Sequence, residues 1–299
     1  MKARDLTPSG TRLDESELVL NDAGAVYHLD LHPEQLGELV LIAGDPGRIA
    51  LISAQFETID HRSRNREFVA HTGSYHGTRV TALATGIGTD NIDIVLNELD
   101  ALVNIDLNER RPRNTLRSLR IVRLGTCGSL QPDIPVDQLI VSSHGLGLDN
   151  VLHYYAHEQD DAGTSLVNAL IDHCQWPAHL PPPYIASGDP GLVDILKKGN
   201  HCGITATAGG FYGPQGRRLR LAPAMPGLNS SLTDFRYGEL RVLNYEMETS
   251  ALYGLSALLG HQACTVCAVV ANRYRREFSR DHAATIRNMI GMVLERSTG

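Results

Sequence analysis

Four apolar runs punctuate the chain: Leu39 to Ala43, Ile121 to Leu124, Leu139 to Ser142 and Ala263 to Ala271. Each is continuously apolar rather than alternating, the pattern of strands covered on both faces. Between them the period changes. From Asp90 to Val103, the positions Ile92, Val95, Leu96, Leu99, Leu102 and Val103 form one helical stripe, with Asp90 placed as its N-cap. From Met247 onward, Ala251, Leu255, Leu258 and Leu259 repeat the stripe, and Gly260 is a natural stop. Strands alternating with helices predict an α/β fold around a central, mostly parallel or mixed sheet flanked by helices.

With 299 residues, 42% of them hydrophobic, the chain buries a large core, and no Ser/Gly-rich linker divides it. A single domain over 25–299 is expected, preceded by a polar extension, 1–24, and interrupted by an arginine-rich insert at about 108–120. The insert reads as a solvated surface loop before it reads as a basic patch. A formal charge of -7 argues against a nucleic-acid partner. No leader-like or membrane-spanning apolar run occurs, and five cysteines fit no secreted scaffold, so a reducing, cytoplasmic setting is expected. Cys264-Thr265-Val266-Cys267 has CxxC spacing, but it lies inside an apolar strand and reads as core.

Several short stretches carry chemistry. Gly44-Asp45-Pro46-Gly47-Arg48 follows a strand and opens a helix, where free N–H groups and an arginine suit an anion. Gly188-Asp189-Pro190-Gly191 repeats the tetrapeptide with no arginine behind it and reads as a helix cap. Arg123-Leu124-Gly125-Thr126-Cys127-Gly128 is a strand running into a glycine-rich turn; Arg123 faces either an anion or a structural carboxylate. Thr85-Gly86-Ile87-Gly88 has the same form and supplies another wall of a crevice. In Asn244-Tyr245-Glu246-Met247-Glu248, two carboxylates flank a sulfur at a helix mouth. On a helix they diverge; in extended backbone both face a pocket, as sugar-binding groups, as a glycosidase-like pair or as simple helix-start acids. Met247 alone reads as core filler. Phe211-Tyr212-Gly213-Pro214-Gln215-Gly216-Arg217 offers a ring, an amide and a guanidinium. His28, taken alone, reads as a structural histidine. No zinc spacing, GxSxG or GxGxxG occurs.

In this order, from about Tyr27 to near the C-terminus, these segments resemble the nucleoside phosphorylase family and, within it, the uridine phosphorylases of bacterial type. Val26-Tyr27-His28-Leu29, Arg66-Glu67-Phe68 and Asn272-Arg273 add to the match. The resemblance implies reversible phosphorolysis of uridine to uracil and ribose 1-phosphate. By the same resemblance, Gly44, Arg48, Arg123, Gly125 and Thr126 would bind phosphate, with Arg66 from a neighbouring subunit. Glu248 would hold the ribose hydroxyls, with Met247 against the sugar, Glu246 close by and His28 at the 5′ end of a partner's site. Phe211, Gln215, Arg217, Cys127 and Gly128 would form the base site, and Arg48, Arg123, Arg217 and Glu248 the catalytic set. Phosphate is a co-substrate and no resident cofactor is implied. Glu67 and Ile87 match positions where the family can bind potassium at a subunit interface, but the third such position, usually serine, is Asn91 here. Shared sites imply a homo-oligomer, at least a dimer and in many relatives a hexamer. Purine-cleaving relatives carry an aspartate where this chain reads Val269-Val270-Ala271-Asn272-Arg273, so uridine ranks above inosine or adenosine. A broad-specificity phosphorylase, a hydrolytic nucleosidase and a non-catalytic nucleoside sensor are the alternatives.

Overall fold

The computed structural model describes residues 1–299 and is organised around one large mixed sheet. At its centre the Gln262–Asn272 strand lies parallel to Arg120–Ser129 and antiparallel to Leu139–Gly147. Beyond Arg120–Ser129 come Leu39–Ala43 and Thr78–Ala84, both parallel. Antiparallel Phe68–Tyr75 and Thr58–Asn65 then form the edge. On the other side, Leu139–Gly147 runs parallel to His201–Thr207, and that strand parallel to Leu240–Glu246. Leu240–Glu246 turns back to pair with Gly128 and Ser129, so five strands curl into a closed ring.

Seven helices cover this sheet: α1 (Pro46–Ser53), α2 (Thr89–Asn104), α3 (Asp161–Cys174), α4 (Pro190–Leu196), α5 (Leu228–Asp234), α6 (Thr249–Leu259) and α7 (His282–Thr298). The stripes of α2 and α6 pack together on one face, with Ile92, Val95, Leu96 and Leu99 against Leu252 and Leu255. On the opposite face lie Ile49 and Ile52 of α1, Leu196 of α4 and Met289, Ile290 and Val293 of α7. Each such fully buried side chain contributes roughly 1.5–3 kcal/mol. The mixed α/β architecture read from the apolar pattern is the one observed. The cysteines of the CxxC stretch are both buried in the central strand and free. Asp189 caps α4 by accepting from Leu192 N at 2.9 Å, and Gly260 ends α6 in the left-handed region.

Two local expectations change. Helix α2 starts at Thr89 and not after Asp90, because Gly88 (φ 104) makes the reversal and no side chain caps it. Asp90 sits in the first turn, where its charge suits the dipole. The glycine-rich stretch after Arg123 is not a turn: the strand runs on to Ser129. Its small residues let it keep pairing with the central strand while Gly128 also meets Tyr245.

The polar N-terminal stretch is held by the body of the protein. Lys2–Ala3 pairs with His157–Glu158, and the terminal amino group meets Asp160 at 3.0 Å. Arg110, in the insert, donates to the carbonyls of Leu13, Asp14 and Leu18, and Leu18 is buried. The basic run is therefore more than a solvated loop. Arg117 pairs with Glu38 at 2.7 Å, and Arg120 reaches Ser297 O at 3.0 Å. No helix is long and apolar enough to cross a membrane.

Candidate active site

Four chain reversals surround a cleft of about 490 Å³. The first is the start of α1, where Asp45 accepts from Gly47 N at 2.8 Å and Pro46 opens the helix, bringing Gly44 and Arg48 to the rim. Ile87, from the glycine turn before α2, forms a second wall. Glu246, Met247 and Glu248 form a third, between the end of a strand and the N-terminus of α6. Glu246 closes the strand and Glu248 is the N-cap residue of α6, and both line the cleft. The fourth carries Phe211, Gln215 and Arg217. Arg123, Thr126, Cys127 and Gly128 line the floor.

Arg123 sits between the two glutamates. Its Nη1 is 3.1 Å from Glu246 Oε2, and its Nη2 donates to Glu248 Oε2 in a short hydrogen bond. Burial opposes the charge on Arg123, but the carboxylates of Glu248 and Glu246 outweigh it and raise the pKa. Glu248 is pushed up by its own burial and by Glu246, against the pull of Arg123. The structural-carboxylate alternative for Arg123 is thus met, in a residue that also borders open space. Gly125 packs beneath: a Cβ there would collide with Arg123 Nη1 and Cys267 Sγ. Arg48 is 8% exposed, and its side chain donates only to Leu124 O, at 2.8 Å. Burial and neighbouring Arg123 lower its pKa. Arg48 and Arg123 thus stand near enough to repel each other, a pairing that suits an anion.

At the far end, Arg217 stacks 3.7 Å from the centre of the Phe211 ring and donates to Phe211 O and Gln215 Oε1. Gln215 is 3% exposed and is fixed through its carbonyl by Arg273 Nη2 at 3.1 Å. Its amide keeps a second lone pair on Oε1 and the donors on Nε2. Burial and Arg273 lower the pKa of Arg217 to about 10, and neither arginine meets a carboxylate. This end is therefore electropositive and suited to an oxygen that gains charge. Cys127, also buried, has its thiol pKa pushed up and is a neutral wall.

His28, Arg66, Glu67, Asn91 and Gly125 do not line this cleft. Arg66 occupies the exposed turn between two strands (φ 53), over Tyr27 at 5.7 Å. His28 meets Glu98 through Nδ1 at 2.6 Å, the bonded role expected of a lone histidine. Glu67 and Asn91 meet beside Gly86, where Asn91 turns its Nδ2 toward the glycine. Tyr245, Val270, Ala271 and Phe278 line the cleft without having been singled out. Tyr245, Val270 and Ala271 belong to stretches named above, while Val270 reaches the cleft at a register shift of the central strand, which has no sequence signal. Asn272 is buried, donating to Gln131 O at 2.9 Å and Ile134 O at 2.7 Å, so it serves the fold.

Comparison with known proteins identifies the family to which this fold belongs. The Phosphorylase superfamily pattern matches residues 38–297. A uridine phosphorylase of Thermococcus kodakarensis is 30% identical over 267 residues, covering 87% of this chain and 82% of that protein. A DeoD-type purine nucleoside phosphorylase of Colwellia psychrerythraea is 26% identical, covering 90% and 97%. Among solved structures, a Trypanosoma brucei nucleoside phosphorylase described as showing uridine phosphorylase activity superposes with a TM-score of 0.87. It is 30% identical, with 94% of this chain and 99% of that one covered. The chain belongs to the phosphorylase superfamily, among its nucleoside phosphorylases.

Proposed function

We propose that the protein catalyses the reversible phosphorolysis of uridine to uracil and ribose 1-phosphate. What supports this is one cleft lined by two arginines, two glutamates and an amide–guanidinium couple, groups that suit a phosphate, sugar hydroxyls and a base edge. Gly44, Arg48, Arg123 and Thr126 hold phosphate under C1′, with Gly125 leaving room for the guanidinium and Arg66 arriving from a neighbouring subunit. Glu248 takes the ribose hydroxyls, Met247 packs on the sugar, and His28 of a neighbouring subunit meets the 5′ end. Such sharing needs at least a dimer. Phe211, Gln215 and Arg217 hold uracil, beside Cys127 and Gly128.

Catalysis is positioning and electrostatics. As the glycosidic bond stretches, positive charge grows on the ribose ring above phosphate and negative charge spreads over the uracil oxygens. Arg217 stabilises the latter, and no covalent enzyme intermediate forms. Phosphate is a co-substrate, and no resident cofactor takes part.

The choice of uracil over a purine rests on the base end. No acid lines it, and Asn272, in the stretch where purine-cleaving relatives carry an aspartate, has both amide hydrogens committed to carbonyls. Uracil offers a carbonyl, an N–H and a second carbonyl, which the Gln215 amide and Arg217 complement. A panel of uridine, deoxyuridine, thymidine, inosine and adenosine, each with phosphate, tests the choice: kcat/KM highest for a purine nucleoside would overturn it.

A further inference from the structure

Glu246 has both carboxylate oxygens occupied by the protein. Oε1 accepts from Thr207 Oγ1 at 2.6 Å and Thr249 N at 3.1 Å. Oε2 accepts from Thr249 N at 2.9 Å and Glu248 N at 3.0 Å, and faces Arg123 Nη1 at 3.1 Å. A carboxylate has about four lone-pair sites, so a sugar hydroxyl finds none free. Glu248 is less committed, with Gly88 N on one oxygen and Arg123 and Met247 N on the other.

Thr207 lies on the adjacent parallel strand, in register with Glu246, and is fully buried. Its hydroxyl donates its one proton to Glu246 and accepts from Ser250 N at 2.9 Å. Ser250 Oγ in turn donates to Asp149 Oδ2 at 2.7 Å, which also accepts from Tyr184 OH at 2.9 Å. The hydroxyl is locked from both sides. Without an oriented Glu246, the only carboxylate left to place the Arg123 guanidinium is Glu248, the group that must also serve the sugar.

We propose that Thr207 is a positioning residue of the anion site, acting through Glu246 to fix Arg123, and that Glu246 serves the arginine and not the ribose. This rests on Arg123 holding phosphate. The test titrates the full-length protein with inorganic phosphate and, separately, with uracil, by calorimetry. Thr207→Val strips one donor from Glu246 and orphans Ser250 N. It weakens phosphate binding about tenfold or more, leaves uracil binding unchanged, and Thr207→Ser restores phosphate affinity. If Thr207→Val does not fold, Glu246→Gln makes the same comparison, because its neutral amide keeps one acceptor oxygen of two and no charge to pair with Arg123. Unchanged phosphate affinity, equal losses for phosphate and uracil, or a serine variant as weak as the valine one overturns the inference. Wild-type protein that binds no phosphate overturns instead the phosphate assignment beneath it.

Discussion

The Gly88 N–H donates to Glu248 Oε1 at 2.8 Å, tying two turns that stand 160 residues apart in the chain. The other oxygen of the same carboxylate holds Arg123. One buried side chain thus fixes the distance between two walls of the cleft and the orientation of its floor.

Glu248→Gln keeps the shape but removes the charge that pairs with Arg123 and accepts from the sugar. Hydrogen bonds to charged groups are worth about 1.5–3 kcal/mol, so kcat/KM for uridine should fall roughly 10- to 100-fold. The loss should be much smaller for 2′,3′-dideoxyuridine, which lacks the hydroxyls. Steady-state kinetics on both substrates check this, and equal losses would remove Glu248 from the ribose site.

Burial raises the pKa of Glu248 above its ordinary 4.5. Protonation ends its pairing with Arg123, so the acid limb of kcat/KM should lie above the usual carboxylate range and vanish in Glu248→Gln. Stability moves the other way. The folded state binds this proton more tightly than the unfolded chain. The group's contribution is therefore fully present below the ordinary value and is lost as pH rises through the raised one. Tm measured alongside activity, wild type against Glu248→Gln, separates the two trends. A limb at or below the ordinary value would contradict the assignment.

Arg217→Ala removes the charge facing the departing base. Loss of a donor to a developing oxyanion costs about 10²–10³ in rate, and a fall near that size in kcat/KM for uridine is expected. The residue sits on a surface loop whose guanidinium bonds only to Phe211 O and Gln215, so Tm should change little. Unimpaired turnover would discard this role.

Asn272→Asp puts an acid into the stretch where purine-cleaving relatives carry one, yet here it would turn a carboxylate against the carbonyls of Gln131 and Ile134. A buried polar group left unsatisfied costs about 1–3 kcal/mol. The variant should lose several degrees of Tm and gain no inosine cleavage. A gain in purine turnover with Tm unchanged would show that this position faces the base.

Much of this was legible in the chain because it rests on local patterns. Leu39 to Ala43 is a strand with the bounds its apolar run implies, and Asp45 and Asp189 cap helices at two identical tetrapeptides. The resemblance gathered the motifs of the cleft, and Arg48, Arg123, Gln215, Arg217 and Glu248 do line one cavity. What escaped depends on long-range partners. Nothing near Gly125 announces that its strand continues, since Tyr245 supplies the pairing from far along the chain. Phe278 reaches the cleft from a short hairpin with no periodicity of its own. The saturation of Glu246 by Thr207 is likewise invisible until the two strands stand in register.

The most direct measurement incubates purified protein with uridine, with and without phosphate, and quantifies uracil, ribose 1-phosphate and free ribose. The account predicts no uracil without phosphate and equal amounts of uracil and ribose 1-phosphate with it. Uracil and free ribose released in the absence of phosphate would contradict it.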